Sequence, residues 1–211
     1  MRKLFARNGL TIVMLGLFAV FWAGQSVAGW LEQRDDEQRH GRPVSTWSDY
    51  VTSGEFVEST AENWESEFFQ MAAFVLLSAF LFQRGSAESK DPDEKSSASR
   101  RPRVAAHRGG LAMSFYSHSL SITLTTLFLI SFALHAIGGR VAYNHDAEAH
   151  GRPTLSLAGF LASPTFWFQS LQNWQSEFLS VGALVVLSIF LRERGSAQSK
   201  PVDAPNDETG T

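Results

Sequence analysis

The chain has 211 residues, with 18 Lys or Arg against 21 Asp or Glu, a formal charge of -3 and a mean hydropathy near zero. These averages suit an ordinary soluble domain and offer no basic excess for nucleic acid, so no nucleic-acid partner is expected. No cysteine is present, which excludes a disulfide framework, a thiol nucleophile and a thiolate metal site.

Taken in order, the segments contradict the averages. Arg2, Lys3 and Arg7 precede Leu10 to Leu31, 22 residues without a charge, enough to cross about 30 Å of hydrocarbon as a helix. A signal peptide also begins this way, and Ser26-Val27-Ala28 resembles a cleavage site. An uncleaved span is expected, because the apolar run outlasts a signal core. Moreover Leu10, Ile12, Leu17, Phe18, Ala23 and Gly29 recur as Leu120, Ile122, Leu127, Phe128, Ala133 and Gly139 inside a later apolar run.

His40-Gly41-Arg42-Pro43 follows and returns as His150-Gly151-Arg152-Pro153. Glycine two residues ahead of proline marks a turn, and a lone histidine lacks the close partners a zinc site needs. His40, Arg42, His150 and Arg152 are therefore secondary site candidates, with a structural turn as the competing reading. Ser45 to Glu62 and Leu155 to Gln172, rich in aromatics, read as short interfacial helices or re-entrant loops. The first copy carries Asp49, Glu55, Glu58, Glu62 and Glu65 where the second has no charge.

Asn63-Trp64-Glu65-Ser66-Glu67-Phe68 opens the next apolar run and recurs as Asn173-Trp174-Gln175-Ser176-Glu177-Phe178. Shifting the chain by 110 residues matches 23 of 51 positions between residues 40 and 90, without a gap. The chain thus reads as a tandem repeat. Residues 1–90 form the first two-span unit, with spans at about 10–31 and 64–83. Residues 111–200 form the second, with spans at about 115–138 and 174–192. The stretch 91–110, rich in Ser, Asp, Glu, Lys and Arg, is expected to be a disordered linker, and 201–211 a disordered tail. Arg100, Arg101, Arg103 and Arg108 would let the linker rest on anionic lipid headgroups. The predicted fold is all-α: four transmembrane helices with short interfacial helices on the outer side.

Orientation follows from the cations. The N-terminus, the central linker and the C-terminal segment hold 13 of the 18; Arg34, Arg39, Arg42, Arg140 and Arg152 lie on the opposite side. The positive-inside rule puts both termini and the linker in the cytoplasm, which makes the halves parallel repeats about an axis along the membrane normal. Together, NGLTIVMLGLF, HGRP, ENWESEFFQM and FLFQRGSAESKDP make nearly the whole chain resemble an uncharacterised family of bacterial integral membrane proteins, domain of unknown function 6766. The resemblance implies a four-span protein of the bacterial inner membrane and transfers no catalytic or binding residue.

Helical spacing gathers Asn63, Ser66, Glu67 and Gln70 on one face, with Asn173, Ser176, Glu177 and Ser180 as the counterpart. Trp64 and Trp174 fall on neighbouring, lipid-suited faces and read as interface anchors. Carboxylates at matching places of two membrane repeats are a pointer to a binding site; the competing reading makes these residues helix caps. Gln25 and its equivalent His135 sit at about the depth the carboxylates would reach. No Ser-His-Asp order, metal-ligand pair or phosphate-cradling glycine loop is present. No enzymatic activity, cofactor or metal is therefore expected. The leading expectation is a scaffold, accessory or envelope-associated protein acting by helix-helix association, as a homo-oligomer or with another membrane protein, through Gly16, Ala23, Gly24, Gly138, Gly139 and Gly182. The alternative is a small transporter or channel that uses the outer carboxylates for a cation or proton.

Overall fold

The computed structural model describes residues 2–91 and 110–210, with side chains from Ala6 onward. The described residues form seven helices and no strand: α1 Arg2–Arg39, α2 Trp47–Val51, α3 Gly54–Leu77, α4 Leu111–Ser117, α5 Ser119–Ala149, α6 Leu157–Leu161 and α7 Pro164–Phe190. Among the described residues, three stretches are long and apolar enough to cross a membrane: Ala6–Arg39, Ser119–Ala149 and Pro164–Phe190. α3 differs because its first half carries Glu55, Glu58, Glu62, Glu65 and Glu67 and because it stops at Leu77, where a turn over 78–80 follows.

Helix ends depart from the expected spans in instructive ways. α3 and α7 begin at Gly54 and Pro164, about ten residues before the repeated hexapeptides. The stretches 45–62 and 155–172 therefore form separate short helices only in their first halves, the five-residue α2 and α6. The local chemistry explains this. Ser163 caps α7, its hydroxyl accepting from Phe166 N, and Pro164 sits in the first turn, where a missing N–H costs nothing. α2 is closed by a capping box in which Thr46 accepts from Asp49 N and Asp49 accepts from Thr46 N. The Thr46 hydroxyl, donating to Asp49 Oδ2 at 2.6 Å, and then Thr46 N, donating to the same oxygen, hold the exposed Asp49 carboxyl below its ordinary range, since both favour the charged form. The run beginning near 111 is broken at His118 into α4 and α5.

The chain divides into two compact units, one comprising Met1–Thr60 with Leu134–Leu161 and the other Ala61–Ala133 with Ala162–Thr211. In the first unit, the turns after α1 and α5 use Gly41 and Gly151, each at φ 65°, a left-handed conformation that glycine adopts without penalty. Glu37, buried, accepts from Ser45 N at 2.7 Å and Ser45 Oγ at 3.0 Å. In the second copy Asn144 does the same service, accepting from Leu155 N and donating to Leu155 O. Tyr50 stacks edge-on to Phe56 and lies so close to Gly29 that a Cβ there would meet its hydroxyl. Phe160, wholly buried, fills the space left by the absent side chain of Gly139.

The second unit is built on aromatic rings. Phe69, Phe128, Phe132, Phe166, Trp167, Trp174 and Phe178 form one connected cluster with centroids 4.6–6.5 Å apart. The segment 201–210, expected to be disordered, is instead held by specific bonds. Lys200, wholly buried, donates to the carbonyls of Pro205, Asn206 and Glu208 at 2.9–3.1 Å. Arg192 donates to Ala204 O and Asn206 Oδ1. Thr209 Oγ1 accepts from Gly85 N, and Gly210 N donates to Ser86 O. A low apolar content did not leave this segment loose because two cations supply the donors its carbonyls need. Of the expected linker, only Asp91 and Gly110 belong to the described residues; 92–109 lie outside them.

Candidate polar site

All eight residues of the expected polar faces lie in the second unit, on α3 and α7. The structure brings Glu67 and Glu177 together: their carboxyl groups share a hydrogen bond. Glu67 is exposed and Glu177 half-buried. The pair therefore lies at the surface of the unit. The reason is angular. Glu65, Ser66 and Gln70 take the inward directions of α3, and each residue turns the helix by about 100°, which carries Glu67 past the packed side.

The remaining members of the face serve their own helices. Ser66 Oγ donates to Asn63 O at 2.9 Å and Ser176 Oγ to Asn173 O at 2.8 Å. Such back-bonding satisfies a hydroxyl without a ligand. Asn63 is exposed and Asn173 half-buried.

The residue missed by the helical-face argument is Glu65. It is wholly buried, and its Oε1 accepts from Trp174 Nε1 at 3.1 Å. The sequence contains one signal for it: Glu65 is the only position of the hexapeptide that loses its charge between copies, becoming Gln175. Trp174 is corrected by the same contact. Its indole N–H is spent on Glu65 and its ring packs on Phe69 at 4.6 Å, so it does not offer the free polar edge of a headgroup anchor. Trp64 is half-buried.

The secondary candidates belong to the first unit. His40 Nδ1 donates to Asp36 O at 2.9 Å, and His150 Nδ1 to Asp146 O at the same distance. Arg42 pairs with Asp36 and Arg152 with Asp146. Each set closes the last turn of a long helix, which is the structural-turn reading of the motif. Gln25 donates to Ser59 Oγ at 3.4 Å, and His135 is wholly buried. The acidic run of the first copy is not one solvated face either: Asp49 caps α2, Glu55 lies 3.0 Å from His145, and Glu65 is buried. Among the described residues, no group of three or more His, Asp or Glu is placed to hold a metal ion.

Near the other end of the same helices, Ser86 of the first Arg-Gly-Ser-Ala loop meets Ser188 of α7, and Glu88 and Gln198, just beyond the two loops, meet each other. Ser86 and Ser188 hydroxyls are 3.0 Å apart. With its amide turned to donate, Gln198 places its nitrogen 2.5 and 3.2 Å from the two oxygens of Glu88. Burial pushes the Glu88 carboxyl above its ordinary range. Glu88 and Gln198 are separated by the same 110 residues as Glu67 and Glu177, so at two levels of this unit a residue touches its own counterpart.

Among known proteins, a family model described as Domain of unknown function (DUF6766) matches residues 1–211. No curated protein and no solved structure matches the chain.

Proposed function

The chain belongs to the DUF6766 family, and from its own residues we propose that it is a non-enzymatic, multi-pass protein of the bacterial inner membrane that acts by helix-helix association. The observation that carries this reading is the division among its glycines. Gly138 and Gly139 are occupied by packing inside the first unit, whereas a Cβ at Gly16, Gly24 or Gly182 would meet nothing within 4 Å. These three lie on α1 and α7, whose most apolar stretches are almost wholly unburied. Small residues on lipid-accessible helices let another backbone approach closely. Fluorescently labelled chains reconstituted in liposomes should show energy transfer that Gly16→Leu with Gly24→Leu reduces by at least half. Transfer that is unchanged by these substitutions would discard the reading.

The proposed membrane architecture is four spans, with α3 as the fourth, in two parallel repeats. It is supported by the like-with-like contacts Glu67–Glu177 and Glu88–Gln198, which are what a two-fold pseudo-axis produces. The cation distribution favours cytoplasmic termini. Because the chain has no native cysteine, single cysteines at Ser48, Ser156 and Ser97 can be probed with a membrane-impermeant reagent. Labelling from outside is expected at Ser48 and Ser156 and not at Ser97.

A second reading rests on the meeting of the Glu67 and Glu177 carboxyl groups, an arrangement that suits passage of a proton or cation. Flux into proteoliposomes holding only this protein, abolished by Glu67→Gln with Glu177→Gln, would put it first.

A further inference from the structure

A groove of about 380 Å³ in the second unit is lined by Leu76 at the end of α3, by His118 at the break between α4 and α5, and by Ser121, Ile122, Thr125 and Thr126 at the start of α5. Ser121 and Thr125 are spaced i, i+4 and share one face of α5, with His118 at the break just ahead of them. Its polar groups are of two kinds. Thr126 Oγ1 donates to Ile122 O at 2.8 Å, the usual way a hydroxyl is satisfied on an apolar helix. The side chains of His118, Ser121 and Thr125 make no such bond among the described residues. Leu76 and Ile122 are exposed beside them.

We propose that this groove holds one membrane phospholipid, with the phosphate on His118 and Ser121, the glycerol ester region against Thr125, and an acyl chain along Leu76 and Ile122. The assignment rests on the reading that the chain spans the bilayer, because α5 is one of the helices long and apolar enough to do so and the groove occupies its first two turns. At that level water gives way to hydrocarbon. Unbonded hydroxyls are costly there unless an amphipathic molecule supplies acceptors. Among the described residues the lining holds no acidic side chain to repel a phosphate, and the positive end of the α5 dipole adds to the attraction. Hydroxyls over a lipid-facing apolar wall suit a molecule that is polar at one end and hydrocarbon at the other, and neither a free phosphate nor an alkane satisfies both.

The full chain in detergent would be titrated with phosphatidylglycerol, with diacylglycerol of the same chains, and with glycerol phosphate, binding being read by native mass spectrometry. Phosphatidylglycerol is expected to bind at least tenfold more tightly than either of the others. The triple change His118→Ala, Ser121→Ala and Thr125→Val should erase that preference. Leu76→Trp, which fills the groove without touching the polar groups, should weaken binding by a similar factor. All four positions are at least partly exposed, so the variants are expected to fold. Equal binding of diacylglycerol, binding of glycerol phosphate alone, or wild-type affinity in either variant would overturn the proposal. Carbonate extraction of membranes tests the premise separately: a chain released by carbonate refutes the spanning reading, while a chain retained with no lipid preference refutes only the site.

Discussion

Phe166→Ala should lower stability by about 3–5 kcal/mol, the largest loss expected from any single truncation in the second unit. Phe166 is wholly buried, meets Phe132 edge-on at 5.2 Å, and lies 5.6 Å from Trp167. Truncation removes the transfer energy of the ring and leaves a cavity among stiff aromatic neighbours that close poorly over it. Phe160→Ala should cost a similar amount in the first unit, because Phe160 fills a space that exists only where Gly139 has no side chain. Phe168, two residues beyond Phe166, is 69% exposed, and Phe168→Ala should stay within about 0.5 kcal/mol. Thermal unfolding of the three variants in the same detergent checks the ordering. A Phe168 variant as damaged as the Phe166 variant would mean that the packed direction of α7 has been misassigned.

Lys200→Met is expected to release the C-terminal segment. Three hydrogen bonds from a charged donor contribute about 1.5–3 kcal/mol each where nothing replaces them. Water will satisfy some of the freed carbonyls, so the closure should weaken by about 3 kcal/mol. Limited proteolysis should then cut within 201–210 much faster than in the wild type while the helices remain protected, and Arg192→Phe, which restores the residue of the first copy, should act in the same direction. The pH dependence has a definite sign. Burial, with the charge of Arg192 adding to it, lowers the Lys200 pKa below the usual 10.5, so the folded state binds this proton less tightly than the unfolded one. Wild-type closure should therefore strengthen as pH rises from the folded pKa toward 10.5, and the Met variant should show no such rise. Equal cleavage rates in wild type and variant would remove the clasp.

How much of this was legible beforehand differs from residue to residue. The turn at His40 to Pro43 was readable because glycine and proline act through local backbone sterics, and Gly41 has the positive φ such a turn needs. The meeting of Glu67 with Glu177 was readable from the repeat, since equivalent residues near a pseudo-axis face one another. Their exposure was not, because it depends on which neighbours α3 buries. Glu65 was passed over for the same reason: a carboxylate beside Trp64 looks solvated until Trp174 of the other copy closes on it. Arg192 in place of Phe82 was visible as a departure between copies, but its purpose depends on where the chain returns after Lys200.

By itself the sequence determined the helical class, the apolar stretches of α1, α5 and α7, the turns, and the 110-residue correspondence, because composition, periodicity and backbone sterics act within a few residues. Only the tertiary structure decided which glycines are filled and which stay open, that Trp174 turns inward, that α3 carries a buried carboxylate, and that residues 201–210 are held in place. Each of these depends on partners distant in sequence. Their effect on burial and hydrogen bonding outweighs the local preference of the residue they meet.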